Sequence, residues 1–286
     1  MTFGELLKNP KFKKKSVLEA LIKEYTNQKR EEIWLHLDDQ IDSDVLIKIL
    51  KGYGEYVDEK KPLEYILGHV DFFGYQFYVN QYTIIPRPET EYMIEAIDNF
   101  VKEQKKTDFD DFFILLDIGT GSGILGISSL LQNPDNFKVA FLSDISQEAL
   151  DVAKINYNKL IEIDRYDISF LRSDLAAFVD DYPIIRQGRV ILVANLPYIP
   201  DDTFDNNALE NVQKWEPRLA FVGGDDGLNL YRIMFDQVKT YKNIIMFLEM
   251  MTWQVEILRQ EFGDWMEFEE VKTFHFNIRI VKCWVK

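Results

Sequence analysis

The sequence predicts an α/β protein. A seven-stranded, mostly parallel Rossmann-like sheet with helices on both faces follows a small N-terminal helical domain and a β-hairpin linker. Three observations carry this expectation. From about residue 112, short apolar runs alternate with amphipathic stretches, the pattern of strand–helix units in a parallel sheet. The first of these runs ends in "DIGTGSG", a small-residue turn leading into a helical stretch. Residues 1 to about 65 show helical periodicity instead.

In the first segment, "SVLEALIKEY" places Val17, Leu18, Leu21, Ile22 and Tyr25 on one helical face. "SDVLIKILKGYGEYV" repeats the pattern, with Ser43 or Asp44 expected as its cap. The basic run Lys11 to Lys15 reads either as a solvated lead-in to a helix or as a patch that docks a partner. Residues 66–85, "ILGHVDFFGYQFYVNQYTII", are aromatic and β-branched, with Gly68 and Gly74 as punctuation, and read as a β-hairpin. Its aromatic rings suit a core bridge or a substrate wall. "PRPETEYMIEAIDNFV" then opens a helix with Pro88 in its first turn and Glu89 and Glu91 at the positive end. The expected division is therefore 1–65, 66–85 and 86–286.

The strands of the last part are expected at "FFILLDIG", "KVAFLSD", "ISFLRSD", "RVILVAN" and "NIIMFLEM", followed by a terminal pair, "MEFEEVKTFHF" and "IRIVKCWV". Helices are expected at "SGILGISSLLQ" and "SQEALDVAKINYNKL".

Composition narrows the function. A length of 286 residues, 47% hydrophobic and 28% charged, describes a folded chain of one large and one smaller domain. The net charge of −15 argues against direct grip on a phosphate backbone. Residues 1–75 hold 12 Lys/Arg against 14 Asp/Glu, so most of the excess acidity lies beyond them. The single cysteine, Cys283, forms no internal disulfide, and His36, His69 and His275 have no metal-ligand spacing. No apolar run approaches the roughly 18 residues that cross a bilayer. The start lacks the apolar core of a secretion signal, and a cytoplasmic location is expected.

In sheets of this kind ligands bind beyond the carboxyl ends of the strands. The first strand ends in Asp117 to Gly123, where small residues admit a ligand close to the backbone. "GSGILG" also satisfies G-x-G-x-x-G, with Asp144 about 20 residues on; that match alone does not separate a nicotinamide from S-adenosylmethionine. Asp144, ending the second strand, suits the two hydroxyls of a ribose. Asp174 and Leu175, after the third, suit the exocyclic amine and the face of an adenine. Either aspartate alone could be a helix cap.

The fourth strand ends in "NLPY", and here the two cofactors part. This stretch supplies no general acid for hydride chemistry. It does supply acceptors for a planar N–H2 group: Asn195 Oδ1, and the backbone C=O of Leu196 held extended by Pro197. Tyr198 can pack on the plane of an amide or base. Acceptors on both hydrogens favour the charge that builds on the nitrogen as it attacks a methyl sulfonium. In-line orientation supplies the rest.

"LDIGTGSG", "SDIS", "SDL" and "ANLPYIP" resemble the motif order of class I S-adenosylmethionine-dependent methyltransferases that act on planar amino nitrogens. Adding "YILGHVDFFGYQFYVNQYTIIPRPETE", "WEPRLAFVGGDDGLNLYR" and "FLEMMTWQ", the chain resembles, over nearly its whole length, the HemK/PrmC-type peptide chain release factor glutamine methyltransferases. The resemblance implies N5-methylation of the glutamine in the Gly-Gly-Gln motif of class I release factors, in support of translation termination. It also implies that the N-terminal helices dock the release factor. By the same likeness Asp117, Gly119, Thr120, Gly121, Ser122, Gly123, Asp144, Ile145, Asp174, Leu175 and Asn195 hold the cofactor S-adenosylmethionine. Asn195, Leu196, Pro197 and Tyr198 hold the glutamine, with Asn195, Pro197 and Tyr198 as the catalytic set. No metal, direct nucleic-acid or membrane contact is expected, and the chain is expected to be a monomer.

Two positions depart from the family pattern. Leu196 stands where a proline is usual, a spelling shared with ribosomal RNA adenine dimethyltransferases. In "KTFHFNIRIV" Arg279 matches, but the aspartate that usually precedes it is missing. The rival readings are a nucleic-acid adenine methyltransferase, a ribosomal-protein glutamine methyltransferase, and a cofactor-binding module without turnover.

Overall fold

The computed structural model describes residues 1–104, 112–162, 164–271 and 277–286. Contacts along the chain divide it into two units, Met1–His69 with Glu210–Trp215, and Val70–Leu209 with Glu216–Lys286.

The first unit is helical: α1 (Phe3–Lys8), α2 (Lys15–Thr26), α3 (Arg30–Leu35), α4 (Ser43–Asp58), α5 (Leu63–Leu67) and, later in the chain, α11 (Glu210–Trp215). Helix α2 buries Val17, Leu18, Leu21 and Ile22, the face its spacing predicts, while Tyr25 is half-buried at the edge of the same core. The cap of α4 is Asp42, not Ser43 or Asp44. Its carboxylate accepts from the N–H of Asp44 (2.9 Å) and Val45 (3.2 Å), so the two expected caps are already in the first turn. In the basic run, Lys15 Nζ donates to the carbonyls of Leu7 and Asn9, closing the negative end of α1.

The hairpin is shorter than its sequence suggests. Strands β1 (His69–Phe72) and β2 (Tyr75–Tyr78) flank Phe73 and Gly74, both at positive φ, the backbone of a two-residue type I′ turn. Ile66 and Leu67 belong to α5, which Gly68 ends at φ +77°, and residues 79–85 form no strand. Phe72 and Phe77 are fully buried in a T-shaped pair, so these rings bridge the core.

The second unit holds the sheet. A 3-10 turn, Pro88–Thr90, leads into α6 (Glu91–Gln104). Then come β3 (Phe113–Ile118), α7 (Ile124–Gln132), β4 (Phe137–Asp144), α8 (Gln147–Leu160), β5 (Asp167–Arg172), α9 (Pro183–Gln187) and β6 (Arg189–Ala194). A crossover with α10 (Asp201–Asn207), α11 and α12 (Asn229–Val238) reaches β7 (Ile244–Met251); α13 (Thr252–Phe262), β8 (Met266–Val271) and β9 (Ile278–Val285) follow. The strand order is β5-β4-β3-β6-β7-β9-β8, parallel except for β9, which runs antiparallel to β7 and β8. All seven expected strands form. The third stops at Arg172, two residues before Asp174. Residues 272–276 of the sixth expected strand, with His275, lie outside the described residues.

Every residue of β3 is buried, because helices cover both faces of the sheet. Ile114, Leu116, Leu192 and Met246 join one core; Leu115, Ile191, Val193 and Phe247 join the other. The chain order reverses between β3 and β6, and the crevice at their carboxyl ends is the predicted ligand position.

Candidate active site at the carboxyl ends of the central strands

Beyond β3 the turn takes conformations that side chains resist: Gly119, Gly121 and Gly123 have φ of +67°, +55° and +82°. A Cβ on Gly119 would lie 2.9 Å from Leu196 Cδ2, so the glycine admits the acceptor segment against the turn. Asp117 braces this turn from beneath. Its Oδ2 accepts from Thr120 Oγ1 (2.6 Å) and Gly126 N (2.8 Å), while Oδ1 is buried without a partner. Burial, opposed by those two hydrogen bonds, raises its pKa to about 7. Asp117 and Gly123 line neither of the cavities described below. Ser122 lines the second cavity, and its carbonyl accepts from the buried Asn156 (2.8 Å), whose side chain also bonds both backbone groups of Tyr78.

Two cavities open at the strand ends, of about 250 and 230 Å³. The first is walled by Asp144, Ile145, Asp174, Leu175 and Pro197, with Tyr82, Pro217 and Leu219 on another side. Asp144 is not a helix cap; that role falls to Ser146, whose hydroxyl accepts from Ala149 N. The Asp144 carboxylate instead accepts from Gly121 N and Ser146 N, both at 2.9 Å, and burial raises its pKa. Leu175 is buried at φ +54°, a strained conformation for leucine beside a cavity.

The second cavity is walled by Arg87, Thr90, Thr120, Tyr198, Glu249 and Met251. Asn195, Leu196, Gly119 and Gly121 line both, so the acceptor segment stands at the junction. Asn195 Nδ2 donates to Glu249 Oε1 (3.0 Å) and Thr90 Oγ1 (3.2 Å). Tyr198 OH donates to the same Glu249 oxygen (3.0 Å). The Leu196 carbonyl has the Tyr231 hydroxyl at 3.5 Å; that hydroxyl makes a much shorter bond to the Glu249 carbonyl. Burial raises the Glu249 pKa to about 7 against hydrogen bonds from Thr90, Tyr198 and Asn195, with Glu89 adding to the rise. Burial, then the Glu249 charge, pushes the Tyr198 phenol well above its ordinary value, so it remains a donor.

Two stretches singled out in the sequence brace the site as well as line its cavities. In "IPRPETE", Arg87 Nη2 meets Glu216 Oε1 at 2.8 Å, while Glu216 Oε2 accepts from Ile85 N (2.9 Å). That buried carboxylate ties residues 85–87 to "EPRL". In "VGGDDGL", Gly223 and Gly227 back the acceptor segment: Gly223 N donates to Ile199 O (3.0 Å). A Cβ would fall 2.4 Å from Pro197 O at Gly223 and 2.0 Å from Tyr198 O at Gly227. Gln254, fully buried, donates to Tyr198 O (2.7 Å) and Asp226 O (2.9 Å) and accepts from Met251 N (2.9 Å). Sequence reasoning assigned no role to Thr90, Glu216, Glu249 or Gln254. Polar residues inside the otherwise apolar "FLEMMTWQ" were the available signal for the last two.

Among the described residues, no group of three or more His, Cys, Asp and Glu could hold a metal, and no helix is long and apolar enough to cross a membrane. His36 pairs with Asp39 and His69 with Glu24.

Sheet order, the reversed last strand and the glycine turn define a Rossmann-like methyltransferase fold. The catalytic domain of hMettl16, solved in complex with the MAT2A 3′UTR hairpin 6, superposes with a TM-score of 0.56 at 11% identity, covering 97% of this chain and 93% of that one. The sequence profile of the family described as ribosomal protein L11 methyltransferase (PrmA) matches residues 87–195. The release factor glutamine methyltransferase of Flavobacterium psychrophilum is 40% identical over 175 residues, 61% of this chain and 56% of that protein. That of Bacillus subtilis is 31% identical over 229 residues, 79% and 74% of the two chains. The chain belongs to the release factor glutamine methyltransferase family. It spans less than two thirds of the length of the first relatives it matches, from 56% to 63%.

Proposed function

We propose that this protein transfers a methyl group from S-adenosylmethionine to the side-chain amide nitrogen of the glutamine in the Gly-Gly-Gln motif of class I release factors. The observation that carries the reading is the junction of two cavities at Asn195 and Leu196. A donor in one and an acceptor in the other meet across a single side-chain amide.

The first cavity fits the cofactor. Asp144 has lone pairs left for ribose hydroxyls, Ile145 and Leu175 offer apolar cover for a base, and Gly119 and Gly121 leave room beside the backbone. S-adenosylmethionine bound there would supply the methyl group as a sulfonium: the N–C bond forms as the C–S bond breaks, S-adenosylhomocysteine is left, and the methylated nitrogen gives up one proton to solvent. In the second cavity both hydrogens of Asn195 Nδ2 are spent on Glu249 and Thr90, which leaves Oδ1 to accept from the incoming N–H2. The Leu196 carbonyl accepts the second hydrogen. These acceptors orient the nitrogen and offset the positive charge that grows on it. The Tyr198 ring covers the amide plane. The N-terminal helical unit docks the release factor, the protein works as a monomer in the cytoplasm, and neither nucleic acid nor membrane is contacted.

The test is methyl transfer from labelled S-adenosylmethionine to a purified class I release factor, with a Gly-Gly-Gln glutamine-to-alanine control. Label on the first and none on the second is expected. Label on ribosomal RNA or a ribosomal protein instead would overturn the assigned acceptor.

A further inference from the structure

Glu249, 1% exposed, lies two residues before the end of β7, level with Asn195 just past the end of β6; the register pairs Leu248 with Ala194 one residue earlier. No lysine or arginine pairs with it among the described residues, and its Oε2 is buried without a hydrogen-bond partner. A buried carboxylate with neither cation nor full hydrogen bonding destabilises a fold, and an apolar residue of the same volume would serve packing better. Packing therefore does not explain it.

Its other oxygen does. Oε1 accepts from Asn195 Nδ2 and from Tyr198 OH, each at 3.0 Å. An asparagine amide has nearly the same shape when turned by 180°, so its neighbours decide which end faces the substrate. Turned over, Asn195 would set Oδ1 against a carboxylate oxygen and offer N–H2 to a nitrogen that needs an acceptor. With Glu249 ionised, the productive orientation gains the Nδ2–H···Oε1 bond, and the turned one loses it and sets two acceptors face to face.

We propose that Glu249 is a positioning residue, which fixes the Asn195 amide with Oδ1 facing the acceptor nitrogen and holds the Tyr198 hydroxyl through the same oxygen. This rests on the methyl-transfer reading of the site. A glutamine at 249 keeps an acceptor oxygen; an alanine does not.

The experiment pairs a readout that needs no acceptor with one that does. The Asn195 side-chain N–H2 signals, assigned in a nitrogen-15 correlation spectrum by their loss in Asn195→Ala, report the orientation directly. In the parent and in Glu249→Gln they are expected to exchange with solvent at least about tenfold more slowly than those of exposed asparagines, and in Glu249→Ala to lose that protection. Turnover on the release factor is expected to fall on the order of 10²-fold in Glu249→Ala, the size of a misplaced catalytic group, with cofactor binding unchanged. Glu249→Gln should stay within about tenfold of the parent by the same scale. If Glu249→Ala does not fold, Glu249→Met, which fills the volume without an acceptor, replaces it. Unchanged Asn195 signals without the carboxylate, or a Glu249→Gln as inactive as Glu249→Ala, would overturn the proposal. Protected signals in a parent that methylates no release factor would sink the substrate reading and leave the role of Glu249 standing.

Discussion

Gly74 and Gly227 share a left-handed φ, +82° and +74°, and a methyl group added to each separates strain from function. At Gly74 the new Cβ meets nothing within 4 Å; at Gly227 it falls 2.0 Å from Tyr198 O and 2.6 Å from Gln254 Nε2. Both alanines carry the left-handed penalty of about 1–2 kcal/mol. Gly227→Ala adds overpacking of about 1–3 kcal/mol, for a total of about 2–5 kcal/mol. To restore an ordinary contact of 3.4 Å, the Tyr198 carbonyl must retreat by 3.4 − 2.0 = 1.4 Å. A displacement of about 1 Å at a reacting group costs on the order of 10²-fold in rate. The assays are denaturant unfolding, turnover on a release factor, and S-adenosylmethionine affinity by calorimetry. Gly74→Ala should lose about 1–2 kcal/mol of stability and keep its turnover. Gly227→Ala should lose more stability and at least about 10²-fold in kcat, with cofactor affinity little changed, since neither Gly227 nor Tyr198 lines the first cavity. Full turnover in Gly227→Ala would refute the claim that the glycine-rich segment sets the acceptor geometry.

Three further outcomes are expected. Asn195→Ala should bind cofactor and release factor while losing at least about 10²-fold in turnover, as when one preorganised polar group is removed; equal inactivity of variant and parent would favour a binding module. Asp117, raised from 3.8 to about 7, holds its proton longer folded than unfolded, so its contribution to stability is full below about pH 4 and is lost as pH rises through about 7. Asp117→Asn should flatten that fall and be more stable than the parent at pH 8 by up to about 4 kcal/mol, read from unfolding curves across pH. Arg87→Ala strands the buried Glu216 carboxylate and should cost about 2 kcal/mol, less than for a fully buried pair because Arg87 is partly exposed, with Glu216→Gln as the milder comparison in the same unfolding assay.

The strands were legible because a sheet covered on both faces needs unbroken apolar runs, and "FILLDI", "VILVA" and "IIMFLEM" have no other use. The place of Asn195 at a strand end was legible because Leu196, Pro197 and Tyr198 follow it in sequence and close the apolar run. Caps and ends were less so: Asp42 displaced Ser43 because any of three adjacent polar residues could begin that turn, and Ile66 and Leu67, β-like by composition, were held in α5 by tertiary packing. The bracing of the turn by Asp117 was not legible, since its bonds to Thr120 and Gly126 depend on how the glycine turn folds back over it. Glu249 and Thr90 could not be assigned from one sequence. They reach Asn195 across 54 and 105 residues, a separation that only the fold closes.

The placement of β9 between β7 and β8 orders the assembly of the site in time. A chain synthesised as far as Val271 already carries β3 to β7, yet the outer edge of β7 is a bare apolar strand, because among the described residues β8 pairs only with β9. Glu249 lies opposite Ile280 in that late pairing. Until β9 slots in, the wall behind Asn195 is unfinished and β7 is open to pairing with another chain. By this topology, completion of the candidate pocket and cover for the β7 edge both depend on the pairing of β9.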